Sequence, residues 1–276
     1  MRTATFAGLL VFVAVSAAPA ASQEGLAASA LANSEFSWVR RAAPGFRVYF
    51  QAGSYAAQHQ DSLLARLPMA LQHARTLIRS PAPADPIDLF FVETREAMTR
   101  LVGARATGFT HQSARAVFLM TNPTWRAFER HEIMHVVAWH AWGPPAARND
   151  WLQEGLAQAA DGRCGEFSNE AVLRGLTRRH GWVTLQDMLV NFRQQPDLRA
   201  YLQAAALTRF LLDAYGPTAV ETLWRNGGTA DSIIGDRSFA AIEQQWREVI
   251  ASGDQPAPQR LAAIDEVGCG VVAPTR

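Results

Sequence analysis

The feature that most constrains this chain is an apolar helical segment that carries three polar residues, His131, Glu132 and His135. Residues four apart in an α-helix project from the same face, so the two histidines can bind one metal ion. Glu132 lies about 100° further around the helix, beside such an ion, where a carboxylate can accept a proton from water. The segment is apolar on most sides and predicts a buried helix, whose polar groups a metal ion would satisfy.

A second segment offers the third protein ligand that a catalytic zinc ion needs, besides an open position for water. Glu154 follows His135 after a gap of eighteen residues and lies in another apolar helical run. Asp161, at the end of this run, can orient a ligand histidine through a hydrogen bond, or it is a solvated acid at a helix end. The alternative to a metal site is a helix with two unrelated histidines, which the Glu154 segment makes the weaker interpretation.

Together these segments resemble the gluzincin zinc metallopeptidases. The motif is HExxH at His131 to His135, followed by Glu154 within WLQEGLA at 151–157. The similarity is greatest to the small peptidase MA-like domains and covers about residues 46–227, although only the two motif segments are diagnostic. It implies that His131, His135 and Glu154 bind zinc and that the chain hydrolyses peptide bonds.

The resemblance also implies catalytic roles. Glu132 would be the general base that takes a proton from a zinc-activated water. A Tyr or His from the helical half would stabilise the oxyanion; Tyr201 and His180 are the candidates, and Tyr201 is favoured. The metzincin pattern does not fit, because Ala138 and Ala141 stand where it requires Gly and His. The alternative function is a non-peptidase zinc-binding or structural domain of the same fold.

The patterning predicts an α+β fold with a small N-terminal mixed β-sheet, a central metal helix and a mostly helical C-terminal half, and the resemblance implies that this fold is zincin-like. The resemblance also implies that the third strand lies at an edge, where it could pair with an extended substrate, while its composition fits the sheet interior equally well. The metal helix is expected to begin at Asn122 or Thr124, and Asp150 to cap the next helix. Strands are predicted at 46–51, 87–92 and 114–120, with a long helix at 54–78.

The N-terminus predicts export. Arg2 precedes an apolar run at 6–17 and the small residues Ala18-Pro19-Ala20, a pattern typical of a signal peptide over residues 1–22. The expected location is therefore secreted or periplasmic, the alternative being an uncleaved anchor. With no second long apolar run, no stable membrane span is expected after signal removal. The remaining predicted ranges are a loose lead-in at 23–44, the gluzincin domain at 45–252 and an extended tail at 253–276.

Two cysteines and a net charge of +1 complete the sequence evidence. In an exported protein, the even pair Cys164 and Cys269 predicts a disulfide, although two free thiols stay open as the alternative. The near-zero net charge gives no reason to expect nucleic acid as a partner. The expected partner is a peptide or protein substrate, and nothing in the sequence indicates an oligomeric state.

Overall fold

The computed structural model describes residues 25–81 and 85–271, and it confirms the α+β class. The N-terminal half contains a five-stranded sheet with helices packed on it, and the C-terminal half is helical with two short hairpins. The predicted signal peptide, residues 1–22, lies outside the described residues. None of the helices that the structure describes is long and apolar enough to cross a bilayer.

The main sheet has the strand order β1-β2-β3-β5-β4, with a parallel centre formed by β2, β3 and β5. The outer strands β1 and β4 are antiparallel to their neighbours. The predicted third strand is β5, which lies between β3 and β4, so of the two expected positions the interior one is confirmed and the edge position is excluded. The strands are β1 (Trp38–Ala43), β2 (Phe46–Gln51), β3 (Ile87–Val92), β4 (Gly108–His111) and β5 (Ala116–Met120).

An aromatic stack covers one face of this sheet. Tyr49, Phe90 and Phe118 lie on adjacent strands with ring centroids 4.5 and 4.6 Å apart. Phe109 of β4 meets Phe118 edge-on, at 6.3 Å. Since side chains alternate along a strand, the neighbours of Phe109 on β4 face the opposite side of the sheet. This register directs Gly108 and Thr110 toward the helix that carries the histidines.

The predicted loose lead-in contains a helix and a strand. Its strand, β1, is ordered by a full antiparallel ladder with β2, and Trp38 packs edge-on against Phe90 at 5.2 Å. Tertiary pairing therefore overrides a segment whose composition shows no period. The helices of the N-terminal half are α1 (Gly25–Ala32), α2 (Tyr55–Gln58), α3 (Gln60–Ile78) and α4 (Arg95–Val102).

The C-terminal half is built around the long helix α9, which contacts α6 more extensively than any other pair of elements in the described chain. Gly216, with a φ of 77°, interrupts α9 with a kink. The helices are α5 (Glu129–Trp142), α6 (Asp150–Asp161), α7 (Asn169–His180), α8 (Leu185–Val190), α9 (Asp197–Asn226), α10 (Phe239–Ala251) and α11 (Pro258–Val267). The hairpins are β6 (Arg163–Cys164) with β7 (Phe167–Ser168), and β8 (Ile233–Ile234) with β9 (Arg237–Ser238).

The expected extended tail is wrong, because it contains α11. Pro258 occupies the first helical turn, where proline is tolerated, and Leu261 packs against Gly175 of α7. The predicted disulfide between Cys164 and Cys269 is confirmed, and it ties the segment after α11 to β6.

The metal helix α5 begins later than the sequence predicts. Asn122, the predicted cap, forms an isolated β-bridge with Trp125, so the chain is extended rather than helical at that point. Trp125 also bridges to Val271, and the Arg126 amide donates to the Gly270 carbonyl. The pairing of Trp125 and Arg126 with the C-terminal segment holds the chain in an extended conformation here, and the helix begins only at Glu129.

Candidate metal centre

Helix α5 places His131, Glu132 and His135 in the interior of the protein. Each of the three residues is buried, with 7% or less of its surface exposed. The Nε2 atoms of the two histidines lie 3.3 Å apart. The four-residue spacing therefore brings both imidazoles to one point, as the sequence predicts.

Helix α6 brings Glu154 to the same point because its first turn is fixed to α9. The buried Asn149, not the predicted Asp150, occupies the N-cap position; its side chain does not cap α6 but donates from its amide to the Leu223 carbonyl at 2.9 Å. Gly155 allows α6 and α9 to approach closely: a Cβ atom there would lie 2.8 Å from the Ala204 carbonyl oxygen. Glu154, next to this contact, is buried.

The three predicted ligands converge. Glu154 Oε2 lies 3.3 Å from His131 Nε2 and 3.6 Å from His135 Nε2. Glu154 Oε2 has no well-formed hydrogen bond among the described residues, although it is buried. A buried carboxylate oxygen facing two imidazole nitrogens is costly unless a cation or protons lie between them. The arrangement could hold a metal ion.

The electrostatics of the metal-free triad are those of an ion pair. Burial lowers the pKa of His131, but the carboxylates of Glu154 and Glu132 outweigh it, and the pKa is raised above its ordinary value. Burial raises the pKa of Glu154. The two imidazoles and the Arg193 guanidinium lower it by more than burial raises it, so the pKa lies well below its usual range.

Arg193 links the triad to two further polar residues. Its Nη2 donates to the second oxygen of Glu154 and to Asp150 Oδ1, both at 3.0 Å. Its Nη1 donates to the Tyr201 hydroxyl at 2.7 Å. Tyr201, the predicted oxyanion residue, is thus joined to Glu154 through a single side chain. Arg193 could not be predicted as a site residue, because it is a single arginine between α8 and α9 and is not part of a recognisable sequence motif.

The carboxylate of Glu132 lies against the edge strand β4. The Thr110 hydroxyl is 2.6 Å from Glu132 Oε2 and donates to it. The other oxygen, Oε1, lies over Gly108, where an added Cβ atom would overlap it. Neither contact could be predicted from the sequence, because the predicted strands at 46–51, 87–92 and 114–120 do not include β4.

Asp161 does not orient a ligand histidine as predicted. It accepts two hydrogen bonds from the Arg126 guanidinium, which also stacks over the Phe128 ring at 4.2 Å. This buried pair joins the approach to α5 with the end of α6, and so it fixes the two ligand helices relative to each other. His180, the other oxyanion candidate, instead bonds Asp265 at 2.8 Å on the surface.

No protein-family model matches this chain, and no curated protein matches it. The assignment of a function therefore rests on the geometry and chemistry of the site itself.

Proposed function

We propose that this protein is a zinc-dependent metallopeptidase. The observation that carries the proposal is the convergence of three buried ligand atoms, from His131, His135 and Glu154, next to the carboxylate of Glu132. Two imidazoles and one carboxylate form a ligand set typical of catalytic zinc, which keeps a fourth position open for water.

The spacing of the ligand atoms supports zinc. In a tetrahedron with ligands at about 2.0–2.1 Å from the ion, neighbouring ligand atoms lie roughly 3.3–3.4 Å apart. The observed separations are 3.3, 3.3 and 3.6 Å. A calcium ion would instead require six or more oxygen ligands, which two imidazoles do not provide. The triad therefore fits zinc with little movement of the side chains.

The surrounding residues can carry the chemistry of amide hydrolysis. Zinc, when bound, would lower the pKa of water and polarise the substrate carbonyl. Glu132 would accept the proton of the attacking water and pass it to the leaving nitrogen. Tyr201 would donate a hydrogen bond to the developing oxyanion, with Arg193 holding its hydroxyl in position.

The edge strand β4 is the proposed binding site for a peptide. It pairs with β5 on one side, and it contacts Glu132 through Thr110. An extended peptide can add to such an edge by backbone hydrogen bonds, which favour peptides and unfolded proteins without requiring a particular sequence. Export stays part of the proposal, supported by a disulfide of the kind that persists in oxidising compartments.

The test compares the wild type with Glu132→Gln for zinc content and for cleavage of an unfolded protein. We expect both to bind zinc and Glu132→Gln to lose about 100-fold or more in kcat, which is within the range of general-base catalysis. Glu129→Gln is the matched control on the same helix, because Glu129 pairs with Arg66 away from the triad. A wild type that binds zinc but cleaves no peptide would support a zinc-binding or structural domain instead.

A further inference from the structure

We propose that Thr110 is a positioning residue that holds Glu132 in its working orientation, so that the edge strand β4 aligns both the base and the peptide. This inference rests on the proposed peptidase function. It concerns a residue outside the HExxH motif, on a strand that the sequence does not predict.

The contact between Thr110 and Glu132 is well placed for this role. The hydroxyl oxygen lies 2.6 Å from Glu132 Oε2 and 3.1 Å from the backbone oxygen of the same residue. A hydroxyl that donates to a carboxylate forms a charge-assisted bond, which is shorter and stronger than a neutral one. The bond engages Oε2 and thereby limits rotation of the carboxylate.

Gly108 supplies an independent observation. It lies two residues before Thr110 on β4 and therefore on the same face of the strand. Its φ is not in the left-handed region, so backbone conformation does not require glycine at this position. An added Cβ atom would overlap Glu132 Oε1 and come within 2.8 Å of the carboxylate carbon. The missing side chain thus leaves space for one carboxylate oxygen while Thr110 binds the other.

The consequence for catalysis follows from the topology. Strand β4 is an edge strand of the sheet and packs on α5. Residues on one face of the strand contact Glu132, while the backbone groups on the side away from β5 lie at the edge of the sheet. A peptide paired with β4 would have its register fixed by the same strand that orients the carboxylate. A general base displaced by about 1 Å from the reacting atoms can lose about 100-fold in rate, so this alignment matters for kcat.

The experiment uses the full zinc-loaded protein and four variants: Thr110→Val, Thr110→Ser, Gly108→Ala and Thr121→Val. Valine keeps the shape of threonine without the hydroxyl, and serine keeps the donor. Thr121→Val is the matched control, because Thr121 is a buried threonine whose hydroxyl donates to the Trp125 backbone carbonyl, away from Glu132. Zinc content, thermal midpoint, kcat and KM are measured for each protein, and crystal structures are determined for Thr110→Val and the wild type.

We expect Thr110→Val to lower kcat about 10- to 100-fold, with zinc content and KM close to those of the wild type. Gly108→Ala should lower kcat similarly, Thr110→Ser should stay within about threefold of the wild type, and Thr121→Val should leave kcat unchanged. A wild-type kcat in Thr110→Val, or an equal loss in Thr110→Ser, would overturn the proposal.

The crystal structures separate this inference from the proposed function. If the wild type shows no Glu132-dependent cleavage, the peptidase proposal fails, but the position of the Glu132 carboxylate still tests the role of Thr110. A changed carboxylate orientation in zinc-loaded Thr110→Val would support positioning. A carboxylate that superimposes on the wild type would refute it, whether or not any substrate is cleaved.

Discussion

Protons and zinc should compete for the ligand triad, and the pH dependence of zinc binding measures this competition. In the metal-free protein, the pKa of His131 lies above its ordinary 6.5, because the carboxylate of Glu154 outweighs burial. The pKa of Glu154 lies well below 4.5 for the converse reason. At pH 5.5 the pair is therefore an imidazolium and a carboxylate, and zinc must displace the imidazolium proton in order to bind.

The expected magnitude follows from the number of protons displaced. One displaced proton changes the apparent zinc affinity about tenfold per pH unit, which is about 1.4 kcal/mol. Affinity should therefore rise about tenfold between pH 5.5 and 6.5 and level off only above the raised pKa of His131. At a fixed free zinc concentration well above Kd, the thermal midpoint should gain roughly 3–6 °C over this pH unit.

The metal-free protein should show the opposite trend above pH 6.5. The stabilisation that comes from His131 is complete below its ordinary pKa of 6.5 and is lost as pH rises through the raised value. The stabilisation from Glu154 is complete above 4.5 and is lost as pH falls through the lowered value. The contribution of the pair is therefore greatest between about pH 4.5 and 6.5.

The assay is thermal unfolding by circular dichroism at pH 5.5, 6.5 and 7.5, in a zinc buffer and in chelator. The difference between the two midpoints at each pH isolates the groups that zinc touches. His140→Gln serves as a control, because His140 lies on the same helix but bonds the Gln112 carbonyl away from the triad. The same zinc-induced shift at pH 5.5 and 6.5 would show that no triad proton is displaced and would refute the reasoning.

Three structural predictions concern the parts that hold the ligand helices together. Replacing Cys164 and Cys269 by serine opens a loop with a sequence separation of 105, and it should lower the unfolding free energy in urea by roughly 2–5 kcal/mol; a change below about 1 kcal/mol would contradict this estimate. Arg126→Met leaves the buried Asp161 carboxylate without its partner and should cost roughly 3–5 kcal/mol, and adding Asp161→Asn should recover part of the loss in a double-mutant cycle. Gly155→Val should separate α6 from α9, lower stability by about 1–3 kcal/mol and reduce zinc content, whereas full zinc binding would show that this contact does not place Glu154.

The three ligands could be predicted from sequence because local periodicity and one motif determine them. Helical geometry alone puts His131 and His135 on one face, and the structure brings their Nε2 atoms to 3.3 Å. Glu154 requires the additional information that a second helix packs beside the first, which the motif supplies. The disulfide could be predicted by counting cysteines in a chain whose N-terminal pattern predicts export.

The features that were missed depend on contacts between residues far apart in the chain. Thr110 and Glu132 are 22 residues apart in the sequence, and Arg193 and Glu154 are 39 apart. Neither contact produces a periodic pattern in the sequence from which it could be predicted. Strand β4 has only four residues and is defined by its pairing with β5. The extended chain before α5 likewise depends on Trp125 pairing with Val271. Local propensity cannot reveal such features, because tertiary partners decide them.

The balance of formal charge around the triad gives a further argument for a divalent ion. Three other acids of α5 and α6 each contact an arginine: Glu129 pairs with Arg66, Asp161 with Arg126, and Asp150 with Arg193, which Glu154 shares. If the three acids and the three arginines cancel in formal charge, the carboxylates of Glu132 and Glu154 leave a net formal charge of −2. Two negative charges in the interior are costly unless they are compensated, and a dication compensates both while accepting the lone pairs of neutral imidazoles. Protonation of His131 would offset only one of them, so the triad without an ion keeps one uncompensated negative charge that a dication removes.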